Sequence, residues 1–187
     1  NDPTITTVDA APMVVHSVET RDTNNDGRLD EMWVTFSENT NAGATKDGVD
    51  FYSSMSKFAS GNGKDGIYDA AAVSGGGTPT LKFTVTPVDL AEDVFDTEAT
   101  PIFRYDENSG NIQDEVGNKL KSYGPGGLTH PATKDGAKPV IVKFITGDAY
   151  ADTALVGGSS FESVGPNGRI DNVTIVFSEK VKTGSGG

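Results

Sequence analysis

The chain has 187 residues, a formal net charge of −12 at pH 7, no cysteine and 35% hydrophobic residues. Without cysteine there is no disulfide, thiolate metal site or cysteine nucleophile. The negative charge argues against nucleic acid, whose phosphates it repels, and no apolar run is long enough for a membrane-spanning helix. No basic stretch leads into an apolar one, so a signal peptide is not expected within these residues. The 23 glycines and 9 prolines, among many Asn, Asp, Ser and Thr, mark frequent turns and favour an all-β fold.

Residues 1–10 read as a linker or the tail of a preceding unit. PMVVHSV (12–18) is β-rich. In LDEMWVTFSE (29–38), Met32, Val34 and Phe36 fall on one face and Trp33 and Thr35 on the other, the period of a half-buried strand. VDFYSSMSKFA (49–59) is ambiguous. IYDAAAV (67–73) and TLKFTVTP (80–87) are predicted strands, the second with Leu81, Phe83 and Val85 inward. VDLAEDVFDTEATP (88–101) reads as loop and IFRYDE (102–107) as strand. NSGNIQDEVGNKL (108–120) reads as a turn, a bridging segment and a second turn, and 121–137 closes the unit.

A second copy then begins. KPVIVKFI (138–145) matches APMVVHSV (11–18), with Pro139 against Pro12 and Lys143 in the place of His16. Val173, Ile175 and Phe177 stand where Met32, Val34 and Phe36 stood, both strands end in F-S-E, and the second joining loop is longer. The expected organisation is one β-sandwich unit over 11–136 and a partial second unit over 137–187. Two strands bury too little to be stable alone. The second pair therefore belongs to a longer array, is completed by strands of another molecule, or folds back on the first unit; the array is the favoured reading.

The segment 22–30, DTNNDGRLD, joins the first two strands. Asp22, Asn24 and Asp26 alternate, Gly27 allows a sharp turn, Arg28 offers its carbonyl, Leu29 points to the core and Asp30 adds a carboxylate. Oxygens at alternate positions of a curled loop suit calcium, which takes six to eight of them at about 2.3–2.6 Å. Trp33 stands where an EF-hand has its bidentate glutamate, and a strand follows instead of a helix. An Asx-rich turn without metal is the other reading. In the second copy Ser163, Gly165 and Asn167 replace Asp22, Asn24 and Asp26, and only Asp171 keeps its carboxylate, so that loop is expected to bind calcium weakly or not at all.

Two more acidic stretches invite comparison. YDENSGNIQDEVGN (105–118) holds Asp106, Glu107, Asp114 and Glu115, and VDLAEDVFD (88–96) holds Asp89, Glu92, Asp93 and Asp96. A second calcium site or a cation patch is conceivable there, but solvated turns and loop faces are the preferred reading of both. Only His16 and His130 could act as imidazole bases; the first is expected to face solvent and the second precedes a proline in a loop. No nucleophile-elbow or H-E-x-x-H motif occurs, so no enzymatic activity is expected. Trp33 could be a sugar-stacking platform, but a lone outward aromatic on a strand is more often an inter-sheet or domain-interface contact.

DTNNDGRLDEMWVTFSE, DTEATPIFRY, QDEVGNKL and KDGAKPVIV, in that order, resemble the tandem immunoglobulin-like repeats of bacterial and archaeal surface-layer proteins, adhesins and extracellular filaments. The resemblance implies an immunoglobulin-like Greek-key β-sandwich of about seven strands and an extracellular, cell-surface location. It implies calcium held by Asp22, Asn24, Asp26 and Asp30, and a mechanical role beside neighbouring repeats or identical subunits. An adhesin or carbohydrate-binding module, with a glycan as partner, is the alternative.

Overall fold

A computed structural model describes residues 9–53, 66–88, 90–91, 94–148, 170 and 172–182. Eight strands run through them: β1 (Val15–Arg21), β2 (Glu31–Phe36), β3 (Val49–Tyr52), β4 (Ile67–Ser74), β5 (Thr80–Pro87), β6 (Ile102–Tyr105), β7 (Ile141–Gly147) and β8 (Asn172–Phe177). The fold is all-β, with no helix among the described residues. Most of these strands are rich in the branched and aromatic residues that fit a pleated surface.

The first six strands form one antiparallel sheet in the order β1-β2-β5-β4-β3-β6. Taken as A to F, they follow the A-B-E-D and C-F neighbour relations of the immunoglobulin Greek key. The two halves are joined through β4. Its first residues pair with β3, as Tyr68↔Phe51 and Asp69↔Asp50, while most of its length pairs with β5. The register shifts between Ala70 and Ala72, and such a bulge bends a strand enough to turn the corner between layers.

Both edges of this sheet are covered. Tyr123 exchanges two backbone hydrogen bonds with Tyr105 beside β6, and Lys134 does so with Val18 and Thr20 on β1. These two contacts, from the segment that closes the unit, stand where a seventh strand was expected, and they leave the sheet nearly closed.

The core lies between the layers. Met32, Val34 and Phe36 of β2 and Leu81, Phe83 and Val85 of β5 are buried, as their alternation predicts. Opposite them stand Phe51 of β3 and Phe103 of β6. Phe51 meets Phe83 edge-on at 5.6 Å between centroids and Phe103 at 5.8 Å. A large apolar side chain buried in this way is worth about 1.5–3 kcal/mol. The bridging segment at 108–120 contributes more than turns, because Ile112 and Leu120 are fully buried.

β7 and β8 form a separate antiparallel pair with the geometry of β1 and β2. Val15 faces Phe36 and Ile141 faces Phe177, and each first strand has a bulge directly afterwards. The entry corners match as well. The Val14 N–H donates to Ser37 Oγ at 3.1 Å, and the Val140 N–H to Ser178 Oγ at 3.0 Å. This register corrects the alignment of the first strands by one residue: Val140 corresponds to Val14. His16 therefore matches Val142, the bulge residue, and Lys143 matches Ser17. Aligning Pro12 with Pro139 misplaces the strand because the ladder, not the proline, sets the register. His16 is exposed as expected.

Candidate metal centre

In the 22–30 loop the side-chain oxygens turn back onto the loop's own backbone. Asp22 accepts from the N–H of Asp26 at 3.3 Å and of Gly27 at 2.9 Å. Asn24 Oδ1 accepts from the Asp26 N–H, and Asp26 Oδ1 from the Arg28 N–H, each at 2.9 Å. Asp30 spans the open end, taking the Thr23 hydroxyl at 2.6 Å and the N–H groups of Thr23 and Asn24 at 3.0 and 3.2 Å. Asn25 and Gly27 have positive φ (59° and 89°), which Asn tolerates and Gly adopts freely. The Arg28 guanidinium turns away to the Ala91 carbonyl at 2.9 Å.

The loop is pinned from beneath. Leu29 is buried, as expected for an anchor. Its N–H donates to Asp96 Oδ1 at 2.8 Å, while the Tyr68 hydroxyl donates to Asp96 Oδ2 at 2.6 Å. The Asp96 N–H donates to the Gly27 carbonyl at 3.1 Å. Asp96 is thus fully buried, a correction to its placement on a solvated loop face. Its acidic neighbours Asp89, Glu92 and Asp93 lie outside the described residues, as do Ser163, Gly165, Asn167 and Asp171 of the second loop.

Among the described residues, Asp9, Glu38 and Asp114 are three acids whose oxygens lie within 4.8 Å of one another; Asp22, Asp26 and Asp30 do not form such a group. The three come from the segment before β1, the end of β2 and the 108–120 segment, and line a hollow of about 250 Å³ with Asn39, Glu115 and Val116. Asp114 is buried, which raises its pKa. The hydrogen bonds it accepts from Asn118, Gly117 and Val116 outweigh burial and hold the carboxyl below the usual range. Desolvation, with Asp9 and Asp114 close by, pushes Glu38 up. The sequence reading singled out Asp114 but missed Asp9 and Glu38, which are distant in the chain. Glu38 has one local signal, the repeated F-S-E strand end, and Asp9 has none.

Asp106 is occupied in turn formation. It accepts from the Asn108 N–H at 3.0 Å and the Ser109 hydroxyl at 2.8 Å, and these bonds, led by that to Asn108, hold its carboxyl below the usual range. Glu107 pairs with Lys121 at 3.2 Å.

The tip of the 22–30 loop also touches the second hairpin. A Cβ on Gly27 would lie 2.7 Å from Phe95 Cδ1, 3.1 Å from Val142 Cγ1 and 3.2 Å from Ser178 Cβ. Next to it the Thr97 hydroxyl donates to Ser178 Oγ at 2.8 Å in a buried contact.

Trp33 lies on the outer face of the sheet, half-buried. The guanidinium of Arg21 and the ammonium of Lys82 lie 4.6 and 4.2 Å from its ring centroid, and its N–H donates to Glu31 at 2.7 Å. His130 uses both ring nitrogens locally, one accepting the Phe103 N–H at 3.0 Å and the other facing the Pro131 carbonyl.

Compared with protein-family models, curated proteins and solved structures, the chain finds no match.

Proposed function

We propose that this chain is a structural repeat module of an extracellular surface layer, stalk or filament, and that calcium stiffens the β1–β2 loop. The observation that carries this reading is the duplicated hairpin: β7–β8 reproduces the pairing, bulge and serine corner of β1–β2. The two copies also meet through unlike surfaces. Val142 and Ser178 of the second copy dock on Gly27 and Thr97 of the first unit, while the equivalent corner of the first unit, at Val14 and Ser37, is exposed. Contact between unlike surfaces is head-to-tail, and repeating it builds a ring or an open array. The cysteine-free, acidic composition suits an extracellular protein made rigid by packing and bound cations. In the catalytic alternative His130 would be a poor proton carrier, since its ring nitrogens are taken up by backbone groups.

Calcium is the cation that a loop of alternating oxygens around Gly27 would hold, with Asp22, Asn24, Asp26, Asp30 and the Arg28 carbonyl as ligands. A ligand that binds only the folded state, at about 100 times its Kd, adds about 2.7 kcal/mol of stability. For a chain of this size that is about 5–10 °C in Tm. Calorimetry in calcium and in chelator is the test, together with electron microscopy for regular polymers. An unchanged melt with and without calcium defeats the metal proposal. Saturable binding on a glycan array, abolished in Trp33→Ala, defeats the structural one in favour of a carbohydrate-binding module.

A further inference from the structure

The inner face of the second hairpin has the composition of a core and the exposure of a surface. Ile141, Phe144, Val173 and Ile175 correspond in register to Val15, Val18, Met32 and Val34. The first-unit residues are all buried, whereas Phe144 is 62% exposed, Val173 56% and Ile175 45%. The strand pairing differs too. β2 lies between β1 and β5, but β8 pairs with β7 alone among the described strands.

The first unit shows what such a hairpin accepts. Against the far edge of β2 lies β5, antiparallel, with Leu81 opposite Val34 and Phe83 opposite Met32. One strand thus supplies both the missing hydrogen bonds and apolar side chains at every second position. A row of unpaired backbone groups beside an exposed apolar face is a template for strand addition.

We infer that β8 is the acceptor edge for a β5-type strand of a repeat of this kind, running antiparallel to β8 with apolar residues opposite Val173 and Ile175. A second copy of the present chain fits less well as occupant. Its own β5 is held between β2 and β4, and the edges of its six-stranded sheet are engaged at Tyr123 and Lys134. The inference rests on the tandem-repeat reading through the duplication, but not on calcium.

The probe is a synthetic peptide with the sequence of residues 78–88, TPTLKFTVTPV, added to the full chain and followed by amide hydrogen exchange with mass spectrometry. At about ten times its Kd the peptide is expected to slow exchange in 172–177 about tenfold, leaving 31–36 unchanged. A peptide of the same composition with apolar and polar positions exchanged is expected to do nothing, and Ile175→Asp to abolish the effect while the first unit keeps its exchange pattern. Equal protection by both peptides, or none by either, overturns the proposal. It is also overturned if 172–177 is already as protected as 31–36 in the free monomer, or if a concentration-dependent dimer slows the same strands without peptide. None of these outcomes alters the calcium dependence of the melt, so failure here and failure of the cation proposal are separable.

Discussion

Replacing Asp96 by alanine probes how the acidic loop is held. The carboxylate is buried and accepts the Leu29 N–H at 2.8 Å and the Tyr68 hydroxyl at 2.6 Å. Hydrogen bonds to a charged group contribute about 1.5–3 kcal/mol each, and a buried donor left without an acceptor costs about 1–3 kcal/mol. Removing a buried carboxylate also relieves its own desolvation, which offsets part of that loss. The expected net cost of Asp96→Ala is about 2–4 kcal/mol. Asp96→Asn keeps a carbonyl oxygen for Leu29 and is expected to cost about half as much. Tyr68→Phe removes one donor and leaves the other, so Asp96→Ala and Tyr68→Phe share an interaction and their effects should not add. Urea denaturation in chelator measures all three variants and the double mutant without contribution from metal. Hydrogen exchange at 22–30 should rise in Asp96→Ala. A change below about 0.5 kcal/mol, or strict additivity with Tyr68→Phe, refutes the claim that this carboxylate anchors the loop.

Gly27→Ala places a methyl group 2.7 Å from Phe95 at a φ of 89°. Strain of this kind costs about 1–3 kcal/mol, and exchange should rise in 22–30 and at 141–147 together; a wild-type melt would show that the contact yields freely. Asp106 and Asp114 are held below the ordinary carboxylate range by the hydrogen bonds they accept, so their contribution is present at neutral pH and lost as pH falls below about 4. Acid titration of the unfolding midpoint checks this, and Asn118→Ala should weaken the acid dependence. Glu38 has the opposite sign: desolvation beside Asp9 and Asp114 raises it, so its ionised form opposes folding at neutral pH and the penalty is relieved as it protonates. Glu38→Gln should therefore raise Tm at pH 7 in chelator, with the gain vanishing in acid. If calcium stabilises Glu38→Gln as it does the wild type but fails to stabilise Asp26→Ala, the ion sits in the 22–30 loop; the reverse pattern puts it at Asp9, Glu38 and Asp114.

The strands with strict alternation were legible in the residues. β2 and β5 bury the side chains that a period of two selects, because each has one face on the core and one in water. β3 was not resolved within 49–59. At Val49–Tyr52 it is short, and it is defined by pairing with β4 and β6 rather than by its own pattern. The 108–120 segment gave no sign of entering the core, since Ile112 and Leu120 are isolated apolar residues placed by long-range contacts. The register of β7 was off by one residue because the prolines stand at different distances from the ladder: Pro12 lies three residues before Val15 and Pro139 two before Ile141.

The candidate site divides in the same way. The loop oxygens of Asp22, Asn24, Asp26 and Asp30 were visible because a turn is local, and neighbours in sequence are neighbours in space. Asp96, which holds that loop to Tyr68, and the approach of Asp9, Glu38 and Asp114 belong to contacts between distant segments. Local sequence determined the strands, the turns and the duplication, since backbone propensity and periodicity act over a few residues. Only the tertiary structure decided which acids meet, which carboxylate is buried and which apolar face is left open, since those depend on how strands far apart in the chain are laid side by side.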